Sequence, residues 1–264
     1  MSAVLPGLAE LGSDLLETTP RQRRVALARP VAGIALFGAV ACLRWWWLAP
    51  AAMFGIFVAV VTVTHDVVHR SLGLGRRATD WALFGLGLVL LESGHAYRTT
   101  HRQHHHTFPA DGDPEGYPAR LSFARAVCYG PVFLPRLWVW SYRRHRRDRA
   151  WLVAEAAGLP AAILAAVLLW PLTPGPAVYV AGAVLGSWVY PLLTVYLPHH
   201  DFGDEPVTQT RTLRGRLIPA TFLELTYHLE HHLYPQVPSH HLAELARRLD
   251  PALARAGVRP RRVP

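Results

Sequence analysis

Lysine is absent from this chain of 264 residues: all 27 basic side chains are arginine, against 18 acidic ones, for a net charge of +9. Cysteine is nearly absent, with only Cys42 and Cys128. Cys42 lies inside an apolar run and Cys128 has no partner motif, which excludes a disulfide framework and an iron–sulfur site. Charge is scarce as well. Charged residues make up 17% of the chain and apolar ones 51%, with a mean hydropathy of +0.17. That balance does not suit an ordinary soluble domain. The arginines flank apolar runs, so they point to a membrane surface and away from nucleic acid. Pro6, Asp14 and Glu17 precede the first basic run, unlike a cleavable signal peptide.

What is there comes in blocks. Residues 1–29 read as a cytosolic lead-in ending in Arg21, Arg23, Arg24 and Arg29. Spans are expected over about 31–48, 51–69, 151–170 and 177–197, each near the roughly 20 residues that cross a bilayer. Trp45, Trp46 and Trp47 before Ala49-Pro50 read as an interfacial belt and a turn. The apolar run 81–91 is too short to span and suits a re-entrant or interfacial hairpin. Residues 92–150, with an amphipathic stretch from Leu121 to Trp140, and 198–264 read as a cytosolic cap. The expected fold is all-α, one membrane domain over 1–264. With the N-terminus inside, every arginine except Arg44 falls on the inner side, as the positive-inside rule requires. The same topology puts the membrane protein's histidines on the cytoplasmic side, as for an enzyme of the cytoplasmic membrane.

Those histidines form three knots: His65 and His69; His101, His104 and His105; His228, His231 and His232. A helix brings i, i+3 and i+4 to one face, so each knot is expected to aim its imidazoles at one point. Eight imidazoles exceed the three or four that one zinc takes and suit two metal ions. His199, directly after the last span, is expected as a ninth ligand in preference to His200. His106 points off the shared face, and His95 stands open. His145 belongs to a basic face, and His240 and His241 to the surface. Asp66, Glu92, Asp201, Glu224 and Glu230 are candidates to orient the imidazoles from behind. Two other chemistries are weighed against this. His65-Asp66-Val67-Val68-His69 lacks the glutamate that a membrane zinc protease would use as base. A metal transporter would place its ligands at mid-membrane depth.

The three knots, HxxxH, HxxHH and HxxHH in that order, resemble the boxes of the membrane fatty-acid desaturase and hydroxylase superfamily. Tyr227-His228-Leu229-Glu230-His231-His232-Leu233-Tyr234-Pro235 is similar to its third box and flank, and Asp113-Pro114 follows the second box. Tyr196-Leu197-Pro198-His199 is similar to the stretch that ends a span in the carotenoid ketolase and hydroxylase branch, although His200-Asp201 stands where that branch often has Arg-Pro. The resemblance implies a non-haem di-iron centre with O2 as co-substrate, oxidising an unactivated C–H bond of a lipidic hydrocarbon. It points to carotenoid hydroxylation or ketolation, with acyl-lipid desaturation as the alternative. No His-Pro-Gly-Gly of the cytochrome b5 type is present. Electrons are therefore expected from a separate donor such as a ferredoxin and its reductase.

Overall fold

A computed structural model describes residues 5–264. After a short α1 (Leu8–Leu11), the first long helix, α2 (Pro20–Cys42), begins well before the apolar run. Thr19 explains the early start. Its hydroxyl accepts from the Gln22 amide while the Gln22 side chain accepts from the Thr19 amide, and Pro20 fits the first helical turn. Arg21 to Arg29 are thus helical rather than a lead-in. The helix stops at Cys42, short of 48, because Arg44 turns left-handed at φ 56°. Trp46–Leu48 form a single tight turn.

α3 (Ala49–Val68) is the central helix, and every residue from Val58 to Val68 is buried. α4 (Arg76–Leu90) is one helix, not a hairpin, ending where Leu91 turns left-handed at φ 58°. The chain then doubles back into α5 (Gly94–Thr107). Gly94 permits this, since a Cβ there would lie 2.3 Å from the Leu83 carbonyl oxygen. α6 (Phe123–Arg144) runs through Pro131 and Pro135 without ending. Its Gly130 presses against the backbone of Trp188, so this stretch lies along a span and is not confined to a cap.

α7 (Arg149–Ala156) and α8 (Gly158–Leu169) join into the third span, and α9 (Gly175–Pro191) continues through a π turn, Leu192–Tyr196, into α10 (Leu197–His199). Among the described residues, four helical stretches are long and apolar enough to cross a membrane: 13–42, 46–68, 146–169 and 175–199. The remainder is α11 (Leu217–Thr221), α12 (His228–Leu233), α13 (Leu242–Arg255) and two dipeptide strands, β1 (Leu213–Arg214) and β2 (Arg261–Arg262), paired in parallel. The fold is all-α, as expected.

Two apolar cores result. One gathers α3 with its neighbours, and the other packs Leu242, Leu245, Leu249 and Leu253 of α13 under Leu229 and Leu15. The histidines lie where these cores meet. Asp66 of α3 reaches across and accepts from the Ser239 amide at 2.9 Å and its hydroxyl at 2.6 Å.

Candidate metal centre

Among the described residues, two clusters of imidazoles form, each able to hold one metal ion. The first joins His65 and His69 from the end of α3, His101 from α5 and His231 from α12; the second joins His104 of α5, His199 of α10 and His232 of α12. Within each cluster the candidate ligand atoms lie within 4.8 Å of one another. His105 Nε2 stands 2.8 Å from His231 Nε2 and 3.2 Å from His101 Nε2, beside the first cluster. His228 Nε2 stands 3.0 Å from His199 Nε2, beside the second.

The single-point aim expected of each knot holds only for the first. His101 and His104 are three residues apart on α5, yet their rings are 6.0 Å apart and serve different clusters. The third knot divides in the same way between His231 and His232. The helical twist between neighbouring positions accounts for this: residues i, i+3 and i+4 share a face but fan across it.

The nitrogen spacings suit metal ions. Paired Nε2 atoms stand 2.8 Å apart for His65 and His231 and 3.2 Å for His104 and His199. Two imidazoles on one metal, each at about 2.1 Å, would stand about 3 Å apart when their bonds meet at right angles. Burial, reinforced by neighbouring rings, pushes the pKa values of His69, His101, His105, His231 and His232 well down, and that of His228 to about 3. The rings are therefore neutral near pH 7, the form that binds metal.

A model of the family described as fatty acid desaturase matches residues 43–264. The chain belongs to this family. It is an oxidoreductase of the desaturase superfamily, embedded in a membrane by apolar helices. It is also similar to the dihydrorhizobitoxine desaturase of Bradyrhizobium elkanii, at 26% identity over 81% of this chain and 71% of that protein.

The acids behind the imidazoles differ from those expected from the sequence. Asp113 Oδ2 lies 2.7 Å from His104 Nδ1, and Glu115 Oε1 lies 3.3 Å from His101 Nδ1. For His104 burial pushes the pKa down, but Asp113 outweighs it and the net shift is upward. His199 Nδ1 donates to the Gln209 carbonyl at 3.1 Å.

The five acids named from sequence have other surroundings. Asp66 is committed to Ser239, with Oδ1 3.8 Å from His65 Nδ1. Glu230 accepts from Arg214 at 2.6 Å. Asp201 is exposed and accepts from Arg211. Glu224 sits at a left-handed turn with φ 69°, and Glu92 faces apolar cavities. Asp113 and Glu115 are not among the acids expected from the sequence, although Asp113-Pro114 stands beside the second box. The useful signal was a pair of acids within ten residues of a box.

His200 points away and stacks on Tyr196, with ring centroids 4.6 Å apart. His106 is exposed. His95 is buried but belongs to neither cluster: its Nδ1 lies 2.6 Å from Glu155 Oε1 and its ring stacks on Trp151. His145 packs against Trp140, and His241 meets the Glu17 carbonyl.

An apolar cavity of about 350 Å³ opens onto the centre. His65, His101 and His228 line it together with apolar Phe57, Val58, Val61, Leu193 and Phe222 and the charged Glu115, Arg211 and Arg261.

Proposed function

We propose that the chain is a membrane di-iron oxygenase acting on an unactivated C–H bond of a lipidic hydrocarbon, with carotenoid hydroxylation or ketolation the favoured reaction. The observation that carries this reading is the apolar cavity ending on histidines of the cluster pair. His65, His69, His101, His105 and His231 would hold one iron, and His104, His199, His228 and His232 the other. The bound irons would supply O2 activation, using two external electrons and two protons, so that one oxygen atom enters the substrate and the other leaves as water. The chain's own residues do the rest. Phe57, Val58 and Val61 exclude water and fix the hydrocarbon against the centre. Asp113 and Glu115 fix the imidazole tautomers. Acyl-lipid desaturation is the second reading, favoured by the family description.

The chain functions as one domain with both termini and every histidine box on the cytoplasmic side, where a soluble carrier such as ferredoxin delivers electrons. The arginine distribution supports this orientation. Cysteines introduced at Ser13 and Thr173 are expected to label from opposite faces of the membrane, and labelling from one face refutes the arrangement. The function is tested by pigment and lipid profiles of cells expressing the chain with and without a carotenoid pathway. New oxygenated carotenoids support the favoured reading; new unsaturated acyl chains, with carotenoids untouched, transfer it to the second.

A further inference from the structure

The cavity at the metal centre is mostly apolar, yet the guanidinium-bearing side chains of Arg211 and Arg261 line it. The backbone explains how they meet. Arg261 pairs with Leu213 in the short parallel ladder of β1 and β2, and its amide donates to the Thr212 carbonyl at 3.1 Å. Cross-strand partners share a face, and in extended backbone so do residues two apart. Leu213, Arg261 and Arg211 therefore come to one wall, and all three line the cavity. His65 and His101 are buried, whereas Arg211 is partly exposed and Arg261 exposed. The cavity thus runs from the histidines to the surface at the strand pair.

The arginines here differ in what they answer. Arg214, next in the chain to Leu213 and so on the opposite face, donates to Glu230 at 2.6 Å and to Asp250 at 2.7 Å. Arg211 donates to Asp201 at 2.9 Å, an acid whose side chain is 72% exposed. Such a surface pair is worth little and yields to a better acceptor. Arg261 has no acidic partner among the described residues. Glu115, which also lines the cavity, turns Oε1 to His101 Nδ1 instead, at 3.3 Å. A positive charge is thus left unanswered on the cavity wall. Guanidinium groups match carboxylates as a two-pronged fork. The unanswered charge suits a monoanion better than a phosphate ester, which carries about −1.5 to −2.

We infer that Arg261, together with Arg211, holds a carboxylate of the substrate, so that the hydrocarbon oxidised at the histidines ends in a free acid group. The inference rests on the C–H oxidation proposed above and adds an end group to its hydrocarbon: a carboxylated polyene on the first reading, an unesterified acyl chain on the second. Held by its acid end, the chain presents a fixed carbon to the histidines.

Retinoate, a carboxylated polyene, and its methyl ester differ in little besides the charge of that end. Quenching of tryptophan fluorescence measures the binding of each to the metal-loaded protein in a non-ionic detergent at pH 9, where the carboxylate is ionised. Retinoate is expected to bind about tenfold tighter than the ester, the scale of one charge-assisted hydrogen bond. Arg261→Gln and Arg211→Gln should each remove most of that preference and leave ester binding and iron content unchanged, while Arg261→Lys keeps part of it. Arg262→Gln, on the opposite face and outside the cavity lining, should change neither ligand. Equal binding of acid and ester by the wild type overturns the inference. So does an equal loss in Arg261→Gln and Arg262→Gln, which would show surface charge only. Oxidation of β-carotene at a rate that Arg261→Gln leaves unchanged keeps the proposed function and removes this inference. An Arg261-dependent retinoate site in a protein that oxidises no hydrocarbon keeps the carboxylate site and removes the proposed function.

Discussion

The first histidine cluster takes two of its four rings from the end of a single buried span, whereas the second takes one ring each from α5, α12 and the end of the fourth span. Their outer supports differ to match. In the second cluster, His104 and His199 each turn Nδ1 to an oxygen, on Asp113 and Gln209. In the first, His101 Nδ1 meets a carboxylate at 3.3 Å, whereas the buried Nδ1 atoms of His65 and His231 have no hydrogen-bond partner among the described residues. Two ways of holding an imidazole are thus visible side by side. One relies on a rigid, fully packed helix and the other on hydrogen bonds from a connecting loop.

Removing a ligand should produce the largest effect and tests whether the clusters are separate sites. His231→Ala is expected to empty the first and His232→Ala the second, each lowering iron from about two to about one per chain, given the number of imidazoles available. Turnover should be lost in both. Metal analysis with a Mössbauer spectrum checks this, and complete iron loss from either single variant would mean that the clusters form one cooperative site.

The supports come next. Asp113→Asn should cost about 10–100-fold in metal affinity or activity, confined to the second cluster, because His104 loses its orienting acceptor. Asp66→Asn should instead spare metal affinity and lower stability by about 1–3 kcal/mol, since its partner is the buried Ser239. Chelator titration and thermal unfolding separate the two outcomes. A metal defect in Asp66→Asn with normal stability would show that the first cluster also depends on an acid behind it.

These two aspartates also mark what could be read from sequence. The boxes announced themselves because helical spacing repeats, and the four spans because apolar runs were long enough. Asp66 was misread since it is adjacent to His65 in the chain; adjacent helical positions point about 100° apart, and this one faces α13's lead-in. Asp113 and Glu115 were missed because a loop's path back over its own helix leaves no periodicity. The start of α2 was misplaced for a related reason. Apolarity marks the membrane, whereas the Thr19–Gln22 cap sets where the helix begins.

Acid should distinguish the clusters before it unfolds the protein. Asp113 raises the pKa of His104, so as pH falls its ring takes up a proton before the lowered first-cluster rings do. The second iron should therefore leave at higher pH than the first. In metal-free protein the sign for the lowered rings is fixed. They stay neutral when folded but ionise near pH 6.5 when unfolded, so stability falls as pH drops below 6.5, by at most about 1.4 kcal/mol per pH unit for each ring. His104 acts oppositely, its contribution being full below 6.5 and lost as pH rises through its elevated value. Loss of both irons at one pH would remove the electrostatic difference drawn here.

The smallest expected effect belongs to His200, the neighbour of His199. The π turn over Leu192–Tyr196 and the short α10 carry His199 inward, where it is buried with Nε2 3.2 Å from His104 Nε2. His200 ends that helix in a non-helical conformation with ψ 136°, and its ring lies over Tyr196 beside Asp201. His199→Ala should empty the second cluster as His232→Ala does, because it removes one of its three rings. His200→Ala removes only a partly exposed ring and should change stability by no more than about 0.5 kcal/mol, the usual range for surface positions. Iron content and product formation for the two alanine variants decide it. Iron loss in His200→Ala with His199→Ala intact would reverse their roles and move the second cluster's third ring outward.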